Sequence, residues 1–227
     1  MLKYGANNIG KIFLGSNEIG KAFLGSNLVF KKDGGQPQPT VNYLISGAPT
    51  INGTIMTPAS QRGFIYTNKP FNPGEGVSWI IQTKLKFNSF TAWRDVWSTV
   101  NSSGESTRSI VTQVINNRRN YELYMSNNGS SWNIASNKCP GIFPVVGTWI
   151  VFQLVCTYSN GQYTFKQGYP EVPSWTNTLT TSAHPTYGYN IAFGGGFGNN
   201  GVDADFDLSE TKIFIDGSLW WEAITNE

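Results

Sequence analysis

Ser78-Trp79-Ile80-Ile81-Gln82-Thr83-Lys84-Leu85-Lys86-Phe87-Asn88 decides the fold. Read with a period of two, Trp79, Ile81, Leu85 and Phe87 share one face, while Ser78, Gln82, Lys84 and Lys86 share the other. Successive side chains of an extended chain point to opposite faces, so this alternation marks a half-buried antiparallel strand. The same signal recurs where Val202, Ala204, Phe206 and Leu208 alternate with Asp203, Asp205 and Asp207, and again in Tyr121-Glu122-Leu123-Tyr124-Met125. Gly147–Tyr158 is apolar in both registers, as expected of a central strand covered on each side.

The punctuation agrees. Asn128-Gly129, Asn160-Gly161 and Asp216-Gly217 each separate apolar or aromatic runs, and these dipeptides favour type I′ hairpins. No segment of ten or more residues carries a 3.6-residue apolar stripe. The expectation is an all-β chain whose main body is an antiparallel β-sandwich.

Near the start a ten-residue unit occurs twice. Ile9-Gly10-Lys11-Ile12-Phe13-Leu14-Gly15-Ser16-Asn17-Glu18 is followed by Ile19-Gly20-Lys21-Ala22-Phe23-Leu24-Gly25-Ser26-Asn27-Leu28, identical at eight of the ten positions, and Val29-Phe30-Lys31-Lys32 opens a third unit that stops short. The units read as short strands with Gly-Ser-Asn at the turn. Small repeats bury their apolar sides by stacking on neighbours, and about three are needed. Ile9, Phe13, Leu14, Ile19, Phe23 and Leu24 are therefore the candidate oligomerisation residues, at roughly 1.5–3 kcal/mol for each side chain buried. Three parts follow: residues 1–32 as a β-repeat anchoring segment, 33–40 as a Gly-Gly/Pro-x-Pro linker, and 41–227 as the sandwich.

A chain of 227 residues, 14% aromatic and 13% charged, with a net charge of +2, is neither disordered nor patterned for nucleic acid. Arg118-Arg119 lies between Asn117 and Asn120 and reads as a solvated loop. Two cysteines make no metal site; Cys139 and Cys156 either pair or leave Cys156 as a buried free thiol in its apolar run. The first residues hold no apolar signal core, and no apolar stretch approaches membrane-spanning length, so the expectation is synthesis in a cytoplasm without a signal peptide and no membrane insertion.

With these elements in place, the chain resembles bacteriophage tail and tail-fibre proteins that carry a concanavalin A-like (LamG-like) sandwich. The resemblance lies in the repeats Lys11–Glu18 and Lys21–Phe30, similar to the Lys-hydrophobic-aromatic-Leu-Gly-Ser units at the front of many phage tail proteins. It lies also in Phe206–Glu222, which resembles the closing hairpin of LamG-like domains, and in Leu123–Trp132 and Gly147-Thr148-Trp149. It implies a concanavalin A-like jelly roll in a virion component, often trimeric, that contacts glycans on the host surface and other virion proteins.

Sugar rings stack C–H faces on Trp or Tyr while their hydroxyls seek Asn, Asp and backbone partners. Trp93, Trp175, Tyr187 and Tyr189 lie in segments rich in Pro, Thr, Asn and Gly, and Trp220-Trp221 must put one ring on each strand face, so Trp93, Trp175, Tyr187, Tyr189 and Trp221 are the candidate carbohydrate-binding residues. Trp79, Trp132 and Trp149 read as core. Along a strand, Asp203 and Asp205, and likewise Asp205 and Asp207, stand about 7 Å apart, a spacing that glycoside hydrolysis tolerates. Asp203-Ala204-Asp205-Phe206-Asp207 departs, however, from the Glu-x-Asp-x-x-Glu strand motif of glucanases on this fold, and no catalytic residue is assigned. Asp203 and Asp205 are candidate calcium ligands instead; no other cofactor is expected. His184 reads as a loop residue, and Gly194–Gly201 as a flexible tip. The leading expectation is a non-enzymatic tail-fibre or receptor-binding subunit, with a purely structural virion protein and a polysaccharide depolymerase as the alternatives.

Overall fold

The computed structural model describes residues 12–14, 17–19, 21–24, 27–31, 42–59, 63–89, 94–115, 120–140, 146–171, 177–196 and 206–223; before residue 42, and at 94, 114–115, 120, 135–140 and 177, it describes the backbone alone. The chain divides into two compact units, Met1–Thr40 and Val41–Thr225.

The first unit is two hairpins. β1 (Ile12–Leu14) pairs antiparallel with β2 (Asn17–Ile19), and β3 (Lys21–Leu24) with β4 (Asn27–Lys31). In the backbone register Leu14 pairs with Asn17 and Leu24 with Asn27, so each Asn opens its return strand. The backbone register pairs Phe13 with Glu18 and Phe23 with Leu28. Of the candidate oligomerisation residues, Ile9 lies outside the described residues, and Phe13, Leu14, Ile19, Phe23 and Leu24 all fall within these four strands.

The second unit is two antiparallel sheets. One comprises β5 (Tyr43–Ser46), β8 (Phe64–Thr67), β10 (Arg94–Val100), β11 (Ser106–Ile115), β12 (Asn120–Met125), β13 (Ala135–Pro140) and β17 (Asn190–Phe193) in the order β13-β12-β11-β10-β17-β8-β5. The other comprises β6 (Thr50–Asn52), β7 (Ile55–Thr57), β9 (Trp79–Phe87), β14 (Trp149–Ser159), β15 (Gln162–Gly168), β16 (Asn177–Thr181) and β18 (Phe206–Ile215) in the order β16-β15-β14-β9-β18-β7-β6, with β19 (Ser218–Glu222) on the second half of β18. No helix occurs among the described residues, and so none that could cross a membrane.

The strand that decides the fold behaves as its pattern requires. Trp79, Ile81, Thr83, Leu85 and Phe87 of β9 are buried, and the residues between them are half-exposed. Its inward face meets Phe152 and Leu154 of β14, Phe206 and Leu208 of β18, and Trp97, Tyr121 and Leu123 from the opposite sheet in one continuous core. Tyr121 stacks on Phe152 with centroids 4.6 Å apart. β14 lies between β9 and β15, as its hydrophobicity suggests, yet only one of its faces is deeply covered. Phe152, Leu154 and Cys156 are buried, whereas Val151, Gln153 and Val155 stay half-exposed on the outside of the sheet. Cys156 is a free thiol, which removes the bridge to Cys139.

Two of the three expected turns are type I′. Asn160 and Gly161 (φ 52° and 76°) join β14 to β15, and Asp216 and Gly217 (φ 46° and 75°) join β18 to β19, with positive φ at both central positions. Asn128-Gly129 instead sits inside the longer β12–β13 connection, where only Gly129 has positive φ. The described start of the glycine run is no loose tip either. A Cβ on Gly194 would stand 2.4 Å from Pro58 Cγ, and one on Gly196 2.2 Å from Ser98 Oγ, so these glycines allow a close approach of backbone to neighbouring side chains.

Candidate functional site

In β12, Tyr121, Leu123 and Met125 enter the core, so alternation sends Glu122 and Tyr124 to the outer face of the seven-stranded sheet. Register aligns Asp95 of β10, Gln113 of β11 and Glu122 of β12 across that face. Gln113 Nε2 donates to Asp95 Oδ1 at 2.7 Å, and the Tyr124 hydroxyl donates to Glu122 Oε2. Asp95, Gln113 and Glu122 are buried, and their hydrogen bonds hold a polar platform rigid.

The β12–β13 connection rises beside this platform. Trp132 packs on Tyr124 with ring centroids 5.6 Å apart and planes at 51°. Between Met125 and Trp132 the chain is Ser126-Asn127-Asn128-Gly129-Ser130-Ser131, built of residues that bond to local backbone. Ser126 Oγ accepts the amides of Asn128 (3.3 Å) and Gly129 (3.0 Å), and Asn128 Oδ1 accepts those of Ser130 (2.9 Å) and Ser131 (3.1 Å). Across the loop the Asn127 amide donates to Asn133 Oδ1 at 3.1 Å. The base is tied down: the Ser126 amide donates to the Ser109 carbonyl, and the Thr186 amide to the Ser126 carbonyl, each at 2.8 Å. Arg108 donates from its guanidinium to the Ser130 carbonyl, and the Tyr189 hydroxyl lies 3.4 Å from where a Gly129 Cβ would stand. The result is an amphipathic aromatic pair beside exposed amide, hydroxyl and guanidinium groups. That combination suits a ligand with C–H faces and many hydroxyls.

Against solved structures, the Ca2+-bound form of the VIP36 exoplasmic/lumenal domain aligns with a TM-score of 0.53 at 11% identity, covering 76% of this chain and 83% of its own. The Ca2+/Man3GlcNAc-bound form of that domain gives 0.53 at 14%, covering 78% and 86%. The sandwich has the concanavalin A-like lectin fold. The CBM2 module of the Lactobacillus casei BL23 phage J-1 evolved Dit aligns at 0.49 with 12% identity, over 80% of this chain and 82% of its own, too loosely to argue from. No protein-family model matches the chain, and no curated protein does. At these identities the likeness is one of fold.

On this lectin fold the residues singled out by sequence separate. Trp93 and Trp175 lie outside the described residues, as do Asp203 and Asp205. Among the described residues no group of three or more His, Cys, Asp or Glu side chains could hold a metal ion. Tyr189 joins the β12–β13 loop. Tyr187 goes elsewhere: it stacks on His184 (5.0 Å, planes 6° apart), meets Phe71 edge-on, and accepts a hydrogen bond from Trp79 Nε1 at 3.1 Å. Burial raises its phenol well above the ordinary value, which marks it as the rim of the core.

Trp221 corrects the reading made from sequence. It is 3% exposed, stacked on Phe193, with Nε1 bonded to the Asn42 carbonyl at 2.8 Å, and offers no face to a sugar. Trp220 is the half-exposed ring of the pair, and Lys69 Nζ lies 4.4 Å from its centroid. Trp132, whose strand-like neighbours suggest the core, is half-exposed, and so is Tyr124. The missed signal is parity. Once Tyr121 and Leu123 point inward, Tyr124 must point outward, and a Trp ending a run of Ser, Asn and Gly is a loop residue.

Proposed function

We propose that this chain is a carbohydrate-binding protein without catalytic activity, a receptor-binding subunit of a bacteriophage tail fibre. Its sandwich takes a host-surface glycan at Trp132, Tyr124 and Tyr189. The observation that carries the reading is the half-exposed Trp132–Tyr124 pair beside a hydrogen-bonded Asn/Ser loop on a lectin-type sandwich. The Ca2+/Man3GlcNAc-bound VIP36 domain supports a sugar ligand for a sandwich of this kind. The Lys11–Glu18 and Lys21–Phe30 repeats, which resemble those of phage tail proteins, support the virion setting.

Binding at one shallow sugar site is about millimolar, near −4 kcal/mol. Display on an oligomer raises apparent binding by roughly 10²–10⁴-fold without a new contact. The N-terminal hairpins supply that oligomer, a trimer in this reading, through Phe13, Leu14, Phe23 and Leu24. The test is retention of the full chain on a panel of bacterial surface polysaccharides, with its mass measured in solution. A multimer that binds, and loses binding at least about tenfold on Trp132→Ala, supports the reading. A monomer, or binding indifferent to Trp132→Ala, overturns the corresponding half. Release of reducing ends from a retained polysaccharide would make the chain a depolymerase instead.

One observation favours a structural virion protein. Edge strand β5 exposes Leu44 (40%) and Ile45 (51%), with no charge or proline in Tyr43–Ser46 to discourage pairing with another protein. Stable incorporation into particles by a chain that no polysaccharide retains would select it.

A further inference from the structure

We propose that Asn128 is the positioning residue of the carbohydrate loop, its carboxamide oxygen holding Trp132 in place against Tyr124. The inference rests on the reading of this loop as the glycan site and adds to it the residue that gives the loop its shape.

Four consecutive backbone amides, those of Asn128, Gly129, Ser130 and Ser131, converge on two side-chain oxygens. Ser126 Oγ serves the first two and Asn128 Oδ1 the last two. The two acceptors are themselves joined, since the Ser126 hydroxyl donates to Asn128 Oδ1 at 3.0 Å. Asn128 Oδ1 also receives the Ser130 hydroxyl at 3.0 Å, while Asn128 Nδ2 donates to Ser131 Oγ at 3.2 Å. Ser126 is buried and bonded through its backbone to Ser109 and Thr186, so the chain of contacts begins on the rigid sheet. It ends at Ser131, the residue before Trp132.

Asn128 is itself exposed, and its side chain contributes nothing to the core. Its contribution is to the loop. With its oxygen present, the two amides preceding Trp132 are fixed before any ligand arrives, and the ordering cost of the loop does not fall on binding. Without it, those amides turn to water and Trp132 is no longer held at one angle to Tyr124. A carboxylate at this position retains the acceptor and loses only the Nδ2 donor, so Asn128→Asp is the conservative rescue and Asn128→Ala the loss.

The experiment uses the full chain with 5-fluorotryptophan, the Trp132 resonance being assigned by Trp132→Phe, together with amide exchange at Ser130 and Ser131. Asn128→Ala is expected to accelerate exchange at both amides by about tenfold and to shift and average the Trp132 resonance, with the thermal midpoint unchanged; Asn128→Asp restores both. On whichever surface polysaccharide the parent chain is retained best, Asn128→Ala weakens binding by about tenfold through a less favourable entropy, and Asn128→Asp stays close to the parent. Exchange and resonance unmoved by Asn128→Ala overturn the inference, as does an Asn128→Asp variant as impaired as the alanine. Binding lost in Trp132→Ala but kept in Asn128→Ala overturns the inference alone. Binding kept in Trp132→Ala brings down the site as well.

Discussion

Trp221 lies flat against Phe193, their ring centroids 5.5 Å apart and their planes within 4° of parallel. The contact joins β19 of one sheet to β17 of the other, and Trp221 Nε1 caps the Asn42 carbonyl at the entrance to β5. One ring thus fastens both sheets and the start of the sandwich.

Trp221→Ala should therefore destabilise the sandwich by about 3–5 kcal/mol, the cost of a large buried aromatic, through the cavity and the lost hydrogen bond to the Asn42 carbonyl. Urea denaturation measures it. The same variant, at temperatures where it is folded, should bind polysaccharide as the parent does. Weakened binding at undiminished stability would return Trp221 to the sugar face.

Trp221 also shows how far sequence carries. The period-two pattern of Ser78–Asn88 located β9 and its buried face because burial on one side of a sheet writes itself into every second residue. Asn160-Gly161 and Asp216-Gly217 located two hairpins because few other residue pairs tolerate positive φ at both positions. Trp220-Trp221 fixed that the rings diverge, but which one enters the core depends on the register of β19 against β18, and that register shifts between Ile213 and Phe214. Trp132 reads as a core residue from sequence for a related reason. Its exposure follows from the length of the β12–β13 connection, which the Asn-Gly dipeptide suggested would be a tight hairpin.

Asp207 gives a pH prediction. Burial alone would raise its carboxyl, but hydrogen bonds from Lys86, Thr57 and Asn88, with the charge of Lys86, outweigh it and hold the group below its usual range. Lys86 Nζ stands 2.7 Å from one oxygen, and the Thr57 hydroxyl 2.6 Å from the other. A depressed folded-state value means stability that is present above the unfolded value of about 3.9 and lost as pH falls through the folded one. Asp207→Asn should cost about 1.5–3 kcal/mol at neutral pH, with the gap to the parent closing below about pH 4. Denaturation midpoints across pH 2–7 decide it, and a gap constant with pH would contradict the assignment.

Between the sheets, the Thr112 hydroxyl donates to Gln167 Oε1 at 2.6 Å with both residues fully buried, while Gln167 Nε2 meets no hydrogen-bond partner among the described residues. Removing one partner leaves a buried polar group unsatisfied, whereas replacing both with apolar groups of similar shape removes the debt. Thr112→Val alone should cost about 1–3 kcal/mol. The double variant Thr112→Val/Gln167→Met should be as stable as the parent or more so. A double variant less stable than Thr112→Val would show that Nε2 is satisfied in solution, by a buried water for instance.

Cys156 closes the core at the end of β14's buried face, opposite Trp79 on β9. Burial pushes its thiol up to about 12, so at neutral pH almost none of it is the reactive thiolate, and no surface leads a reagent to it. In the native chain, iodoacetamide at pH 8 should leave Cys156 unmodified for hours, and modification should appear in step with unfolding as urea is raised. Peptide mapping separates Cys156 from Cys139, so the prediction concerns one sulfur. Rapid native labelling of Cys156 would mean that the β9–β14 pair opens without global unfolding, which the continuous packing of Trp79, Leu154 and Phe165 around it argues against.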